Sequence, residues 1–161
     1  MNQVVVKQEK SGYQIVEAYK SLRTNLQFCG EDKKVIAVTS CTPNEGKSSV
    51  SMQLGISLAE SGKRVILIDA DLRKSVLLGR TKTQKSVRGL AHFLSGQATL
   101  EDVICSTNVK NFYMIYSGPF PPNPAELLGG KNFRSLLNAL RKVYDYVIVD
   151  LSLIHISEPT R

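Results

Sequence analysis

No apolar run in this chain of 161 residues approaches the roughly eighteen needed to cross a bilayer. The opening MNQVVVKQEK offers three valines where a secretory leader would carry a longer apolar segment, so a cytosolic chain is expected. Cysteine is scarce. Cys29, Cys41 and Cys105 form no CxxC unit, and an odd number cannot all pair within one chain, which fits reduced thiols. Acidic residues are missing from one stretch altogether: RKSVLLGRTKTQKSVR, from Arg73 to Arg88, carries six basic residues and no acidic one in a chain of formal charge +7. Such a run suits either an anionic partner or a solvated loop. It also lacks aromatics, leaving bases nothing to stack on, so nucleic acid is not the expected partner. Repeats and low-complexity linkers are absent too, and the length fits one domain.

What is present is an alternation. Four short β-branched runs, VIAVT (35–39), VILID (65–69), FYMIY (112–116) and YVIVD (146–150), have the pattern of strands buried on both faces, as in parallel sheets. Between the first two, Lys47 to Ser61 reads as a helix with Val50, Leu54 and Leu58 on one face and Gly62 as its stop. Thr99 with Asp102, and Asn123 with Pro124 and Glu126, mark two further helix starts. A helical region then ends near Val143. The expected fold is α/β, an open, doubly wound and mostly parallel sheet flanked by helices, with ligands at the carboxyl ends of the strands.

The stretch SCTPNEGKSSV, Ser40 to Val50, lies between the first strand and this helix. A phosphate-binding loop needs backbone N–H groups pointing inward, a helix amino end behind them, a lysine for the β/γ-phosphates and a hydroxyl for Mg²⁺. Gly46, Lys47 and Ser48 provide the end of that pattern, although Cys41 stands where the standard spacing has glycine. The second strand ends in Asp69 and Asp71, on one face if the strand continues. Carboxylates there could hold Mg²⁺, accept a proton from an incoming hydroxyl, or do one each. Asp150 closes the fourth strand in the same manner.

Together these residues resemble the bacterial tyrosine kinases (BY-kinases) that regulate capsule and exopolysaccharide synthesis. TPNEGKSS is similar to their Walker A, VILIDADLR to their Walker A′ and VIVD to the start of their Walker B; EAYKSLRTNLQF, FLSGQATLEDVI and GPFPPNPAELL extend the likeness over roughly residues 11 to 150. The resemblance implies a P-loop NTPase-like kinase domain over 1–150, with ATP and Mg²⁺ as cofactors. Thr42, Pro43, Asn44, Glu45, Gly46, Lys47, Ser48 and Ser49 would bind the nucleotide, Lys47, Asp69 and Asp71 would be catalytic, and Ser48, Asp71 and Asp150 would serve the metal. Asn44 replaces a glycine usual in the family, a position where Asn tolerates a left-handed backbone.

The family's acidic-basic-basic helix motif corresponds to Glu17, Lys20 and Arg23, implying an oligomerisation helix near 14–27 and a homo-oligomeric ring. A stand-alone cytoplasmic form working beside a transmembrane activator of polysaccharide export, and recruited by it to the inner face of the membrane, is implied as well. The ending LSLIHISEPTR departs from the family and resembles translated sequencing-adapter DNA, so a non-native tail over 151–161 and a fold incomplete at its carboxyl end are expected. Two other readings share the same loop: a partition-type P-loop ATPase binding DNA or membrane, and a non-catalytic interaction module. Cys41 fits a passive small side chain, and His92 and His155, without neighbours at metal-ligand spacing, fit structural or surface roles.

Overall fold

The computed structural model describes residues 1–6, 13–32, 34–39, 47–72, 81–83, 88–119 and 121–151; of Tyr13, Lys47, Ser48, Ser49 and residues 81–83 it describes the backbone only. In chain order the elements are β1 (Asn2–Val6), α1 (Tyr13–Phe28), β2 (Val35–Val38), α2 (Lys47–Glu60), β3 (Val65–Asp69) and β4 (Thr81–Thr83). They continue as α3 (Leu90–Leu94), α4 (Leu100–Val103), β5 (Cys105–Thr107), β6 (Phe112–Ile115), α5 (Pro124–Gly129), α6 (Lys131–Val143) and β7 (Tyr146–Asp150). The strands form one sheet in the order β2-β7-β3-β6-β5-β1-β4.

The four apolar runs of the sequence are the contiguous block β2-β7-β3-β6, and every pairing within it is parallel. Their composition dictates this. Each residue of β3 and β7 is buried, because both sheet faces are covered and alternate side chains enter opposite cores. Val65, Leu67 and Ile148 join one core with α2; Ile66, Ile68 and Val147 join the other with α3, α4 and α6. Full burial of such a side chain contributes about 1.5–3 kcal/mol before conformational entropy is counted.

The remaining strands were not visible in the sequence. β1 runs parallel to β5, while β5–β6 and β1–β4 are antiparallel, making the far edge mixed. Asn108 anchors β1 there: its Oδ1 accepts the N–H of Val6 at 2.7 Å and its Nδ2 donates to the Val6 carbonyl at 3.4 Å.

Helix signals fared unevenly. Gly62 adopts φ +91°, with Gly62 N donating to Ala59 O and Lys63 N to Leu58 O, so it does end α2. Thr99 and Asp102 form the expected reciprocal cap of α4. Asn123 precedes α5 as expected, yet its side chain donates to the Glu126 carboxylate and not to the backbone. Val50 is 38% exposed, contrary to its expected place on the buried face. The buried part of α2 lies further on, from Ser51 to Ala59, because α1 covers the side turned away from the sheet.

Candidate active site

The chain leaves β2 at Val38, enters α2 at Lys47, and returns along the sheet to reach β3 at Val65. This brings the amino end of α2 to the carboxyl ends of the parallel strands, where its orphan N–H groups and positive dipole end favour anions. Thr42, Pro43, Asn44, Glu45 and Gly46 lie outside the described residues, as do the side chains of Lys47, Ser48 and Ser49. Cys41 and His155 lie outside them as well.

Asp69 and Asp150 are register partners on neighbouring strands, and Val38 of β2 stands opposite Asp150 on the other side. Ala70 N donates to the Asp150 carbonyl and Leu151 N to the Val38 carbonyl, each at 3.0 Å, so all three strand ends are pinned together. By strand alternation Asp69 shares its face with Val65 and Leu67, and Asp150 shares its face with Tyr146 and Ile148, all in the core that α2 covers. Both aspartates therefore lie on the α2 side. Asp69 is 1% exposed and Asp150 fully buried.

Two buried carboxylates side by side at adjacent strand positions oppose folding unless a proton, a cation or donor groups compensate them. Asp69 obtains one such donor locally: β3 stops at Asp69, the chain turns, and the N–H of Asp71 donates to Asp69 Oδ1 at 3.2 Å. The strand does not continue to Asp71, so the common face expected for these two residues is replaced by a turn that leaves Asp71 half-buried. Among the described residues no three His, Cys, Asp or Glu side chains gather closely enough to cage a metal. The carboxylates Asp69, Asp71 and Asp150 are of the kind that could hold Mg²⁺, which keeps water and is held by one or two carboxylates plus substrate phosphates.

Several neighbours of this site carry no mark in the residue pattern. Tyr116 and Ser117 continue from β6 beside the end of β3, and their carbonyls accept the N–H groups of Leu90 and Ala91 at 2.6 and 2.9 Å. A Cβ on Gly89 would fall 2.3 Å from Gly118 N, and Gly118 has φ +80°, so two glycines let these backbones touch. His92 Nδ1 accepts the Gly89 N–H at 3.0 Å, which gives His92 a structural role. Gly55 allows similar closeness between α2 and the sheet: a Cβ there would meet Phe112 Cε1 at 2.5 Å.

The residues expected on one stripe of α1 are divided. Lys20 Nζ lies 3.5 Å from Glu17 Oε1 on the half-exposed surface. Arg23 instead turns inward, its Nη1 donating to Ser57 O at 3.0 Å and Ser57 Oγ at 3.4 Å on α2. The cause is geometric: each step of three residues falls about 60° short of a full turn, so Arg23 lies about 120° around the helix from Glu17. Of the thiols described, Cys29 is exposed, and burial pushes Cys105 up to about 11, keeping it a neutral thiol.

Residues 33–154 match the family model of the AAA domain. The chain belongs to the AAA domain family. Within it, the chain is similar to bacterial tyrosine kinases of the capsule type. It is 43% identical over 134 residues to the tyrosine-protein kinase CpsD of Streptococcus agalactiae, covering 83% of this chain and 58% of that protein. The kinase domain of the Escherichia coli tyrosine kinase ETK superposes with a TM-score of 0.79 at 37% identity, over 85% of this chain and 54% of that one. The septum site-determining protein MinD from Pyrococcus horikoshii, solved with Mg-ADP, superposes at a TM-score of 0.60 and 27% identity, over 73% of this AAA domain chain and 48% of MinD. This chain thus spans a little over half the length of CpsD and of the ETK kinase domain.

Proposed function

We propose that this chain carries the phosphoryl-transfer site of a protein-tyrosine kinase that acts in capsule or exopolysaccharide synthesis. The observation that carries the reading is the pair Asp69 and Asp150, buried as register neighbours at the carboxyl ends of β3 and β7 and on the face that α2 covers. In this reading Thr42 to Ser49 cradle the phosphates of ATP, with Lys47 on the β/γ oxygens. Ser48, Asp71 and Asp150 hold Mg²⁺, which when bound neutralises charge on the transferring group. Asp69 orients the Asp71 turn through the Asp71 N–H. With Asp71 on the metal, Asp69 would receive the single proton of the tyrosine hydroxyl as its oxygen bonds to the γ-phosphorus and the bond to ADP breaks.

Likeness to CpsD and ETK supports tyrosine as the acceptor, and MinD with Mg-ADP supports the nucleotide and metal. Self-association into a ring rests on Glu17 and Lys20, together with Ile15, Val16 and Leu22, which α1 leaves exposed. No described helix is long and apolar enough to cross a membrane. In this reading a transmembrane activator of polysaccharide export brings the chain to the inner membrane face.

The test is incubation with radiolabelled ATP, Mg²⁺ and a Glu-Tyr copolymer, using this chain and a version extended with the carboxyl-terminal region of CpsD. Label is expected on tyrosine, falling at least about 100-fold in Lys47→Met. ATP hydrolysis with no label on tyrosine in either version would favour the partition-type ATPase.

A further inference from the structure

The Arg23 contact belongs to neither the phosphate loop nor the exposed stripe of α1. We propose that Arg23 is a positioning residue: it caps the carboxyl end of α2 and thereby couples the placement of α1 to the phosphate-binding end of the same helix. The proposal rests on the nucleotide reading above for its functional consequence, but its structural basis is independent of it.

Ser57 lies in the last turn of α2, where carbonyls have no intrahelical donor or only a strained one and carry the negative end of the helix dipole. Its carbonyl receives Ser61 N at a long 3.3 Å and Arg23 Nη1 at 3.0 Å. α2 has no basic residue of its own in that turn. Arg23 provides the missing cation from another helix, and its second contact, to Ser57 Oγ, fixes the direction of the guanidinium.

α1 depends on few such ties. None of its described side chains from Gln14 to Phe28 is fully buried; the half-buried ones are Glu17, Tyr19, Arg23 and Leu26, of which the last three are spaced as one helical face. Leu26 packs against the core that contains α2. α2 itself is almost wholly buried from Ser51 to Ala59 and about 21 Å long, so a shift at its carboxyl end is carried by close packing to Lys47 at its amino end. Glu17 and Lys20, paired on the other side of α1, leave this coupling to Arg23 alone among the three charges.

Hydrogen exchange of the full chain, with Mg-ADP titrations, compares wild type with Arg23→Met, which keeps the stem, and Arg23→Lys, which keeps the charge. Arg23→Met should speed exchange about tenfold at residues 58–62 and severalfold at 51–54, and weaken Mg-ADP about fivefold. Arg23→Lys should recover at least half of each effect, and sedimentation should not change. Faster exchange confined to 58–62 with an unchanged ADP affinity would overturn the coupling, leaving a local cap. A changed sedimentation coefficient with unchanged exchange in α2 would overturn it in favour of a contact between subunits. If wild type binds no ADP, the nucleotide reading fails by itself, and exchange at 51–54 alone decides whether the coupling stands or falls.

Discussion

The two ends of β3 and β7 are built on opposite plans. At the amino end, charge is matched within the chain: Arg64 lies over the rings of Tyr113 and Tyr144 at 5.8 and 5.3 Å, and those rings meet edge-on at 5.4 Å. Asp145 Oδ2 accepts the N–H of Arg64 at 2.8 Å while Asp145 N donates to the Arg64 carbonyl at 2.8 Å. At the carboxyl end two aspartates of the same sign are buried in register. One end closes the fold with complementary pairs; the other gathers two buried carboxylates, which in the proposed reading serve a cation and phosphates. In that reading stability and function are separated along strands only five residues long.

The largest expected effect lies at the carboxyl end. Asp69→Asn should lower phosphoryl transfer by about 10²–10³-fold, while the thermal midpoint changes far less than the rate because the amide oxygen can still accept the Asp71 N–H. Rate assays beside calorimetry check both halves. At the amino end the pattern should invert: Tyr144→Ala, truncating a ring that is 4% exposed, should cost about 3–5 kcal/mol in urea unfolding. Its Mg-ADP affinity, measured where the protein is still folded, should remain within about twofold of wild type. Arg64→Met should cost about 0.5–1 kcal/mol by the same unfolding measurement, since the cation over the two rings is lost and the backbone pairing with Asp145 remains.

The smallest effect concerns α4, away from both ends. Hydrogen bonds from the Thr99 backbone, then from its side chain, hold the Asp102 carboxyl below its ordinary value of 3.8. A depressed folded-state pKa gives stability that is fully present above the unfolded value and lost as pH falls through the folded one. Asp102→Asn should therefore melt below wild type near about pH 7, and the two curves should converge in acid as pH falls below 3.8 and through the lowered folded-state value. A gap that stays constant with pH would mean the carboxylate charge is not what the cap uses.

Much of the central architecture was legible because burial on both faces leaves a strong mark. β3 and β7 read as uninterrupted apolar runs and are completely buried. β2, equally apolar in VIAV, stands at the sheet edge of this chain with Val35 37% exposed, since composition reports a strand and not its neighbours. NQVVV, TKT and CST carry no such pattern, and NQVVV finds its partners far along the chain, Thr83 for Val4 on one side and Cys105 for Asn2 on the other. Asp69 and Asp150 could each be picked out as strand-ending carboxylates, but their side-by-side placement is a product of β7 inserting between β2 and β3. The turn at Asp71 arises from local backbone geometry that residue spacing along the chain does not encode, whereas the inward side of Arg23 follows from its spacing of six residues from Glu17, and only its partner on α2 is hidden in the sequence.

The central claim is that the carboxyl ends of β3 and β7 form a cation-dependent nucleotide site. Its most direct test is the affinity of this chain for ADP with Mg²⁺ and with a chelator, in wild type and in Asp150→Asn. The account predicts that Mg²⁺ tightens wild-type binding by about tenfold or more and that Asp150→Asn loses most of that difference. Equal affinity with and without Mg²⁺ in wild type, or an undiminished Mg²⁺ effect in Asp150→Asn, would contradict it.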